Sequence, residues 1–287
     1  MNILVTGANG QLGNEMRVVG THSADHYIFT DIEQLDITSV EAIESIFSKE
    51  CIDIVVNCAA YTAVDKAEEE EDCAYRINHH AVANLAKACA KHGATLIHLS
   101  TDYIFDGNTD IPYTEEATPS PLNIYGKSKL AGEESIIESG CHHIIIRTAW
   151  LYSTFGNNFC KRMCEMTASP NKFRVVCDQI GSPTYAEDLA KAIAYIIESR
   201  QLEKCGIYNY SGEGECSWYD FAVEIAHLCN HLDCNISPCR SEEYPTRALR
   251  PRYSLLDKGK FRKTFGIEIP DWRVSLAKCI RQLNRGE

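Results

Sequence analysis

The stretch Asn2-Ile3-Leu4-Val5-Thr6-Gly7-Ala8-Asn9-Gly10-Gln11-Leu12-Gly13 opens the chain and decides its fold. It begins as a strand-like apolar run and continues into a Gly-x-x-Gly-x-x-Gly turn. Glycines in such a turn permit positive φ angles and let the backbone approach a pyrophosphate, which is met by free N–H groups at a helix N-terminus. A strand, a glycine turn and a helix in this position predict a dinucleotide-binding fold. The turn residues expected at the cofactor are Gly7, Asn9, Gly10, Gln11, Leu12 and Gly13.

Beyond the turn, short apolar runs alternate with longer segments of helical period over about the first 200 residues. This alternation is typical of β-α-β units, and it predicts an α/β fold with a parallel sheet covered on both faces. The predicted strands cover residues 2–6, 27–30, 52–57, 95–100, 143–148 and 173–176, with one more at 206–210.

Two predicted helices carry clear signals. Apolar residues at helical spacing predict one helix whose buried stripe is Ala74, Ile77, Ala81, Leu85 and Ala88. A second helix is expected from Ser217 to about His231. The proline-rich stretch from Asp106 to Asn123 reads as a loop that delivers the chain to a helix containing Tyr125.

Tyr125 and Lys129 are four residues apart, so in a helix both side chains lie on one face about one turn apart. A phenol has an unperturbed pKa of about 10, and bringing it near neutrality takes about 4 kcal/mol. A cation at about 4 Å in an effective dielectric of about 20 supplies roughly that much before desolvation. The pair can therefore exchange a proton with a carbonyl or hydroxyl group. The alternative is an amphipathic helix with two solvated polar residues.

Polar residues also follow other predicted strands, at the edge where open α/β sheets bind ligands. Asp31 stands where a carboxylate would accept hydrogen bonds from an adenosine ribose, which favours NADH, although nearby Arg17 leaves NADPH open. Asp36 is expected either at the adenine amino group or as a cap of the next helix. Thr101 is the hydroxyl expected at a substrate carbonyl. Further cofactor contacts are expected after the third strand, at Ala59, Ala60 and Tyr61.

Composition sets limits on the class of protein. The 287 residues are 45% hydrophobic, which suits a globular domain, and the net charge of −12 argues against binding nucleic acid or anionic membranes. No leader or long apolar run is present, so a soluble cytoplasmic protein is expected. The 14 cysteines lack zinc-ribbon spacing, so we expect reduced thiols and no metal site.

These motifs together resemble the extended short-chain dehydrogenase/reductase family and, within it, the dTDP-4-dehydrorhamnose reductase family. The generic part of the likeness lies in Thr6 to Gly13, Asn57 to Thr62, Ser100 to Gly107, Tyr125 to Lys129 and Arg147 to Trp150. The more specific part lies in Thr62 to Glu68, Ser120 to Gly126, Gly156 to Phe159, Asp178 to Thr184 and Arg250-Pro251.

The resemblance implies a Rossmann-type doubly wound parallel sheet with a smaller C-terminal substrate-binding lobe. Residues 1–150 would bind NAD(P), and residues 151–287 would mainly bind a nucleotide sugar, with about 171–211 returning to the first domain. The implied reaction is hydride transfer from NADPH or NADH to the C4 ketone of dTDP-4-dehydro-L-rhamnose, giving dTDP-L-rhamnose. The implied catalytic residues are Thr101, Tyr125 and Lys129, the last two also at the cofactor. The implied substrate contacts are Thr62, Val64, Asp65, Thr101, Asp102, Tyr103, Trp150, Asn157, Asn158 and Arg250, with Arg247 and Arg252 competing for the diphosphate.

One departure bears on assembly. Some relatives form dimers around a magnesium ion held by glutamates, and Glu15 and Glu187 match two of those positions while Gln282 stands at the third. Because magnesium demands near-ideal octahedral oxygen ligation, we expect a monomer or a weak homodimer without a metal bridge.

Two rival functions remain. The first is another nucleotide-sugar reductase or epimerase of the same family; a dehydratase would want a second carboxylate after Asp102, where Tyr103 stands. The second is a non-catalytic protein resembling the regulatory subunit of methionine adenosyltransferase, against which the intact Thr101, Tyr125 and Lys129 argue.

Overall fold

The computed structural model describes residues 1–170, 172–231 and 233–285. Its strands are β1 (Asn2–Thr6), β2 (His26–Phe29), β3 (Ile54–Asn57), β4 (Thr95–Thr101), β5 (His143–Thr148), β6 (Leu151–Tyr152), β7 (Lys172–Val176), β8 (Ile180–Gly181), β9 (Thr184–Tyr185), β10 (Gly206–Asn209), β11 (Cys216–Ser217) and β12 (Asn235–Cys239). Its α-helices are α1 (Gln11–Gly20), α2 (Val40–Glu50), α3 (Val64–Ala67), α4 (Glu71–Tyr75), α5 (Ala81–His92), α6 (Ile124–Ser139), α7 (Phe159–Thr167), α8 (Ala186–Glu198), α9 (Trp218–Leu228), α10 (Gly259–Phe265) and α11 (Trp272–Arg285).

Within these residues a six-stranded sheet has the order β2-β1-β3-β4-β5-β10, and every pairing in it is parallel. The chain passes from β1 outward to β2 and then returns to the other side of β1 as β3. The strand order therefore reverses between β1 and β3, which is where doubly wound sheets bind ligands. The predicted Rossmann-type α/β fold is confirmed.

Alternating side chains of the strands serve the two faces of the sheet. Ile3 and Val5 of β1 face a core shared with α1, α8 and α10, whereas Leu4 faces a core shared with α2, α5 and α6. This period of two is what a strand buried on both faces requires, because successive side chains point to opposite faces.

A separate core forms in the C-terminal part of the chain. Tyr152, Phe221, Trp272 and Leu276 are buried together there, and they come from β6, α9 and α11. β7 pairs in parallel with β12 beside this core. None of the helices formed by the described residues combines the length and apolar character that a membrane span requires.

Two details of the predicted fold were wrong. The strand at 173–176 is present as β7, but it lies outside the central sheet because β10 occupies the edge next to β5. The helix predicted over 74–88 is interrupted by a π-helical turn, Arg76–His80, which adds a residue to the turn. Asn78 is therefore the fully buried residue there, and Ile77 is only half-buried.

The domain division near residue 150 stays a prediction, and its residues 171, 232, 286 and 287 lie outside the described ranges. The structure itself has β10 and α8 at the central sheet and β7 with the C-terminal core.

A buried ion pair fastens α6, the helix that carries Tyr125 and Lys129, to the sheet. Arg147 of β5 donates from Nη2 to Glu133 Oε2 at 2.7 Å and from Nε to Oε1 at 3.1 Å, and both side chains are at most 3% exposed. Arg147 also donates to the carbonyl oxygen of Glu115 at 3.3 Å. Two charges held this far from water depend on one another, because neither can be solvated alone.

Removing Glu133 should therefore destabilise the protein strongly. We expect Glu133→Ala to lower the free energy of unfolding by about 3–5 kcal/mol, since it leaves Arg147 as an unpaired buried charge. Urea unfolding measures this, with exposed Glu134→Ala as the control, expected within about 0.5 kcal/mol of wild type. Equal stabilities for the two variants would contradict the assigned role.

Candidate active site

The glycine turn forms one wall of a crevice at the reversal of strand order. Gly7 has φ of 63°, and a Cβ atom there would lie 2.6 Å from the backbone nitrogen of Ala59, which follows β3. Gly10 is the N-cap residue of α1 and has no side chain that could accept a hydrogen bond from the helix. The first N–H groups of α1 therefore remain for a ligand. Backbone groups bare of side chains at a helix N-terminus suit a pyrophosphate. The predicted turn therefore fits a dinucleotide.

The two acidic residues near this crevice accept hydrogen bonds from different partners. Asp31 follows β2 and accepts the backbone N–H of Asn9 at 2.9 Å, so the carboxylate lies directly beside the glycine turn. Asp36 accepts both the N–H and the hydroxyl of Thr38, at 2.8 and 2.7 Å, which orders the turn before α2. The hydrogen bonds of Asp36 are those of a turn-forming residue, whereas the contact of Asp31 with a ribose stays a prediction.

The predicted Ala59, Ala60 and Tyr61 follow β3 along the same crevice and are half-buried. Asn78 accepts the backbone N–H of Tyr61 at 2.8 Å and donates to Ser128 at 3.0 Å, so it joins this loop to α6. The Tyr61 hydroxyl donates to Glu70 at 2.6 Å.

The hydroxyl of Thr101 lies at the centre of the predicted catalytic group. It donates to Asp102 Oδ1 at 3.1 Å, accepts the N–H of Tyr103 at 3.2 Å and is hydrogen-bonded to the Tyr125 side chain. Its single proton goes to Asp102, so the Tyr125 phenol donates to Thr101. The two groups predicted to act on a carbonyl oxygen are thus brought together.

Gly126 allows this approach. A Cβ atom at position 126 would lie 2.2 Å from the carbonyl oxygen of Tyr103, so α6 can pack against the end of β4 only with glycine there. Asn123 caps the helix by accepting the N–H of Gly126 at 2.8 Å. The rings of Tyr103 and Tyr125 then meet edge to face at 5.7 Å.

Lys129 is buried, and its Nζ donates to the carbonyl oxygen of Leu99 at 2.5 Å and lies 3.3 Å from Nε2 of His98. That Lys129 lowers the pKa of the phenol stays a prediction. Burial raises the pKa of Tyr125 to about 12 and lowers the pKa of Lys129 to about 8. Desolvation is the largest influence on both groups, and the lysine amine bonds to the Leu99 carbonyl of β4.

A cavity of about 990 Å³ lies beside this group. Its volume is at the upper end of the range of about 300–1,000 Å³ typical of small-molecule sites. The predicted substrate residues among its lining are Thr62, Val64, Asp65, Tyr103 and Arg250. Arg250 donates to both oxygens of Asp65, at 3.2 and 2.7 Å, and also bonds the side chain of Tyr103.

Other predicted substrate residues lie elsewhere. The Trp150 ring stacks on Trp218 at 3.7 Å and stands behind the cavity wall that Trp218 forms. Asn158 caps α7 by accepting the N–H of Lys161 at 3.0 Å, while its amide donates to Gln11 and to the backbone. Its neighbour Asn157 is exposed outside the cavity.

The far wall of the cavity comes from α7, β7, α9, the loop after β12 and Gln179, and sequence reasoning missed its members except Arg247, which was expected as an alternative at the diphosphate. Its members there are Phe159, Arg162, Met163, Met166, Phe173, Arg174, Val175, Val176, Gln179, Trp218, Tyr244, Pro245, Thr246 and Arg247. The sequence analysis placed residues 173–176 in the central sheet and therefore gave no reason to expect them at a cavity. The signal that was available is the alternation of Phe173 and Val175 with Arg174, which is typical of a strand with one apolar and one polar face.

Three of the four arginines that line the cavity have carboxylate partners. Arg174 pairs with Glu243 at 2.5 Å, Arg247 with Glu69, and Arg250 with Asp65 at 2.7 Å. Within the described residues, Arg162 of α7 has no such partner, and its side chain is exposed at the cavity. Lys66 also lines the cavity, is exposed and pairs with no carboxylate among the described residues, so Arg162 and Lys66 are the two cations placed to meet an anionic ligand.

The family model described as RmlD substrate binding domain matches residues 1–285. The chain belongs to this family. A dTDP-4-dehydrorhamnose reductase of Sinorhizobium fredii is 36% identical, with 98% of this chain and 97% of that protein covered. A crystal structure of a dTDP-4-dehydrorhamnose reductase from Clostridium acetobutylicum is similar with a TM-score of 0.94, 42% identity and coverage of 99% and 100%.

A second family structure, from Bacillus anthracis, is a dTDP-4-dehydrorhamnose reductase in complex with NADP. It is 37% identical, with a TM-score of 0.93 and coverage of 98% and 99%. A UDP-glucose 4-epimerase of Thermus thermophilus shares only the fold, at 18% identity and a TM-score of 0.84.

The positions that matched a family magnesium site lie near α8 and α11. Glu15 accepts from Ser153 at 2.6 Å, and Glu187 accepts from Lys278 and Lys191, each at 2.6 Å, and from Gln282 at 3.2 Å. Within the described part of the chain, no three His, Cys, Asp or Glu side chains form a group that could hold a metal ion. The absence of a metal bridge stays a prediction.

The buried carboxyl group of Asp102 should make the stability of the protein depend on pH. Burial raises the pKa of this carboxyl group from 3.8 to about 6. Between these values the folded state holds a proton that the unfolded state has lost, so the group's contribution to stability falls as pH rises. We expect Asp102→Asn to gain stability relative to wild type as pH rises from 4 to 7, by up to about 3 kcal/mol. Urea unfolding at several pH values measures this.

The control is Asp110→Asn, which removes an exposed carboxylate from the following loop. A difference between Asp102→Asn and wild type that stayed constant with pH would show that Asp102 is ionised throughout.

Proposed function

We propose that this protein reduces the C4 ketone of dTDP-4-dehydro-L-rhamnose to dTDP-L-rhamnose with NADPH or NADH. Family membership and the names of the relatives support the reaction. The observation that carries it is the contact between the Tyr125 phenol and the Thr101 hydroxyl, next to Tyr103, which lines the cavity.

The residues present can perform this reduction. NAD(P)H held at the glycine turn would supply the hydride for the carbonyl carbon. As negative charge develops on the carbonyl oxygen, Tyr125 transfers its proton there, and the product is an alcohol. Thr101 is the second donor toward that oxygen: its hydroxyl, which donates to Asp102 in the free protein, turns to the carbonyl oxygen, where the hydrogen bond strengthens as the charge grows. After proton transfer the phenolate is the charged group that the surroundings must stabilise.

Both cofactors fit the crevice entrance. Asp31 offers acceptors for a ribose diol, which favours NADH. Arg17 of α1 stacks over the Phe29 ring at 4.6 Å, so a guanidinium is held close to the same place and suits a 2′-phosphate. The relative crystallised with NADP supports use of the phosphorylated cofactor.

The nucleotide sugar is expected in the cavity, with its sugar toward Tyr103 and its base against the apolar wall that includes Phe173 and Trp218. The diphosphate needs a cation that is not already neutralised. Arg162 and Lys66 meet that condition, and of the two Arg162 offers the planar fork that binds a phosphate through two hydrogen bonds, whereas Arg250 is held by Asp65 and positions Tyr103. We therefore assign the diphosphate to Arg162 and a positioning role to Arg250. The cytoplasmic location and the monomer or weak homodimer stay predictions.

Replacing the phenol should separate chemistry from binding. We expect Tyr125→Phe to bind NADPH normally and to lose turnover by at least about 100-fold, because a positioned acid contributes about that much. The assay follows the absorbance of reduced nicotinamide with the dTDP ketosugar as substrate, and exposed Tyr195→Phe is the control.

The assay also decides between the rival functions. A reductase consumes one NAD(P)H per sugar, whereas an epimerase consumes none. Turnover of Tyr125→Phe near that of wild type would remove the phenol from the mechanism, and a wild-type protein that binds cofactor without turnover would favour a regulatory role.

Removing the Arg162 charge should weaken substrate binding. We expect Arg162→Met to raise KM for the nucleotide sugar by about 10-fold or more and to leave kcat nearly unchanged, since a hydrogen bond to a charged group contributes about 1.5–3 kcal/mol. Initial rates at varied sugar concentration measure this, with Arg281→Met on an exposed face of α11 as the control. A normal KM in Arg162→Met with a raised KM in Arg250→Met would assign the diphosphate to Arg250.

A further inference from the structure

A chain of buried polar side chains runs beneath the active site, from β1 to α6. The Thr6 hydroxyl donates to Asn57 Oδ1 at 2.7 Å, Asn57 Nδ2 lies 3.0 Å from Nδ1 of His98, and His98 Nε2 lies 3.3 Å from Lys129 Nζ. All four side chains belong to residues at most 2% exposed. Buried polar groups of this kind are constrained by their partners, since water cannot replace a missing donor or acceptor.

The backbone fixes which way the Asn57 amide points. Asn57 Oδ1 accepts the backbone N–H of Ala59 at 3.2 Å as well as the Thr6 hydroxyl. A backbone N–H can only donate, so the atom facing it must be the amide oxygen. The amide nitrogen therefore faces His98 and donates to its Nδ1.

This donation decides the tautomer of His98. Burial holds the pKa of His98 well below its ordinary value, and the Asn57 amide nitrogen facing Nδ1 leaves no place there for a ring proton, so the ring is neutral. Because Nδ1 accepts from Asn57, the single ring proton is on Nε2. The histidine thus presents an N–H donor to Lys129.

An ammonium group cannot accept that hydrogen bond, because it has three donors and no lone pair. A neutral amine can accept from His98 Nε2 and still donate to the carbonyl oxygen of Leu99, which lies 2.5 Å away. We propose that Asn57 and His98 are positioning residues that set the protonation state of Lys129: the imidazole, held as the Nε2–H tautomer, favours the neutral amine.

The other charged or titratable groups around Lys129 are Glu133, Arg147, His98 and Tyr125. Glu133 on the same helix favours the charged lysine, but Arg147 of β5 neutralises it. His98 of β4 is neutral, and Tyr125 lies one turn away along α6. Burial already lowers the pKa of Lys129 to about 8, and the His98 donor acts in the same direction. The network therefore makes the lysine titrate closer to neutrality than burial alone would.

This inference rests on the proposed reduction for its consequence. Once Tyr125 has given up its proton, a charged Lys129 stabilises the phenolate and a neutral one does not. Turnover should therefore fall as pH rises through the pKa of Lys129. The alkaline limb of the pH profile then reports the state that Asn57 and His98 impose.

The first test needs no substrate. The two ring nitrogens of a neutral histidine have distinct ¹⁵N chemical shifts according to which one carries the proton, and the His98 signal is assigned by its loss in His98→Gln. We expect the proton on Nε2 in the wild-type protein. A proton on Nδ1 would overturn the proposal and leave the proposed reductase activity untouched.

The second test replaces the Asn57 amide with a carboxylate, so that an oxygen atom faces His98 in place of the amide nitrogen. In Asn57→Asp the position facing Nδ1 becomes an acceptor, so His98 is expected to protonate at Nδ1 and to offer Lys129 a lone pair. The pKa of Lys129, followed by the ¹³Cε chemical shift, should rise by about one unit or more, and the alkaline limb of kcat/KM should move with it.

Asn78→Asp is the matched control. Asn78 is also fully buried and bonds Ser128, the neighbour of Lys129, without contacting His98. A rise of equal size in both variants would mean that any buried carboxylate near α6 suffices, and no rise in Asn57→Asp despite a proton moved to Nδ1 would separate the histidine from the lysine. Either result would overturn the proposal.

Discussion

The close packing of α6 on the carboxyl ends of β4 and β5 is the constraint on which the site depends. Gly126 lets the helix touch the Tyr103 carbonyl, and the Glu133–Arg147 ion pair holds the next turns against β5. Without this approach the Tyr125 phenol could not reach Thr101, which belongs to the strand. Burying this ion pair costs desolvation energy, but the pair keeps α6 from sliding along the sheet.

The same packing gives Lys129 a buried position. A lysine in a helix pressed onto a sheet loses water, and its nitrogen must find acceptors among strand atoms, here the carbonyl of Leu99. Proximity in sequence to Tyr125 therefore does not by itself create an ion pair. What the lysine contributes depends on its protonation state, and that state is governed by residues from β3 and β4 as much as by the helix.

The sequence was most informative where function depends on local geometry. The glycine turn, the strand-end Thr101 and the one-turn spacing of Tyr125 and Lys129 follow from short-range rules, and the sheet follows from alternating periodicities. The predictions that were wrong concern features that depend on tertiary packing. The π-helical turn that buries Asn78 in place of Ile77 leaves no periodic signal, and the edge position that β10 takes from β7 is settled only by competition between distant strands. Most of the far cavity wall was missed for the same reason.

Charge in the cavity illustrates how an acidic protein can bind an anion. The chain carries a net charge of −12, so long-range attraction does not bring a diphosphate to it. Arginines concentrated in one cavity solve this locally, but most are neutralised by partners that also fix the loops: Arg250 joins the loop after β12 to Asp65 of α3, and Arg174 joins β7 to Glu243. These pairs build the shape of the cavity. An arginine left without a carboxylate, as Arg162 is within the described residues, can then supply the binding charge, because a guanidinium already satisfied by an acid has little attraction left for a phosphate. Shape and charge in this cavity are thus assigned to different arginines.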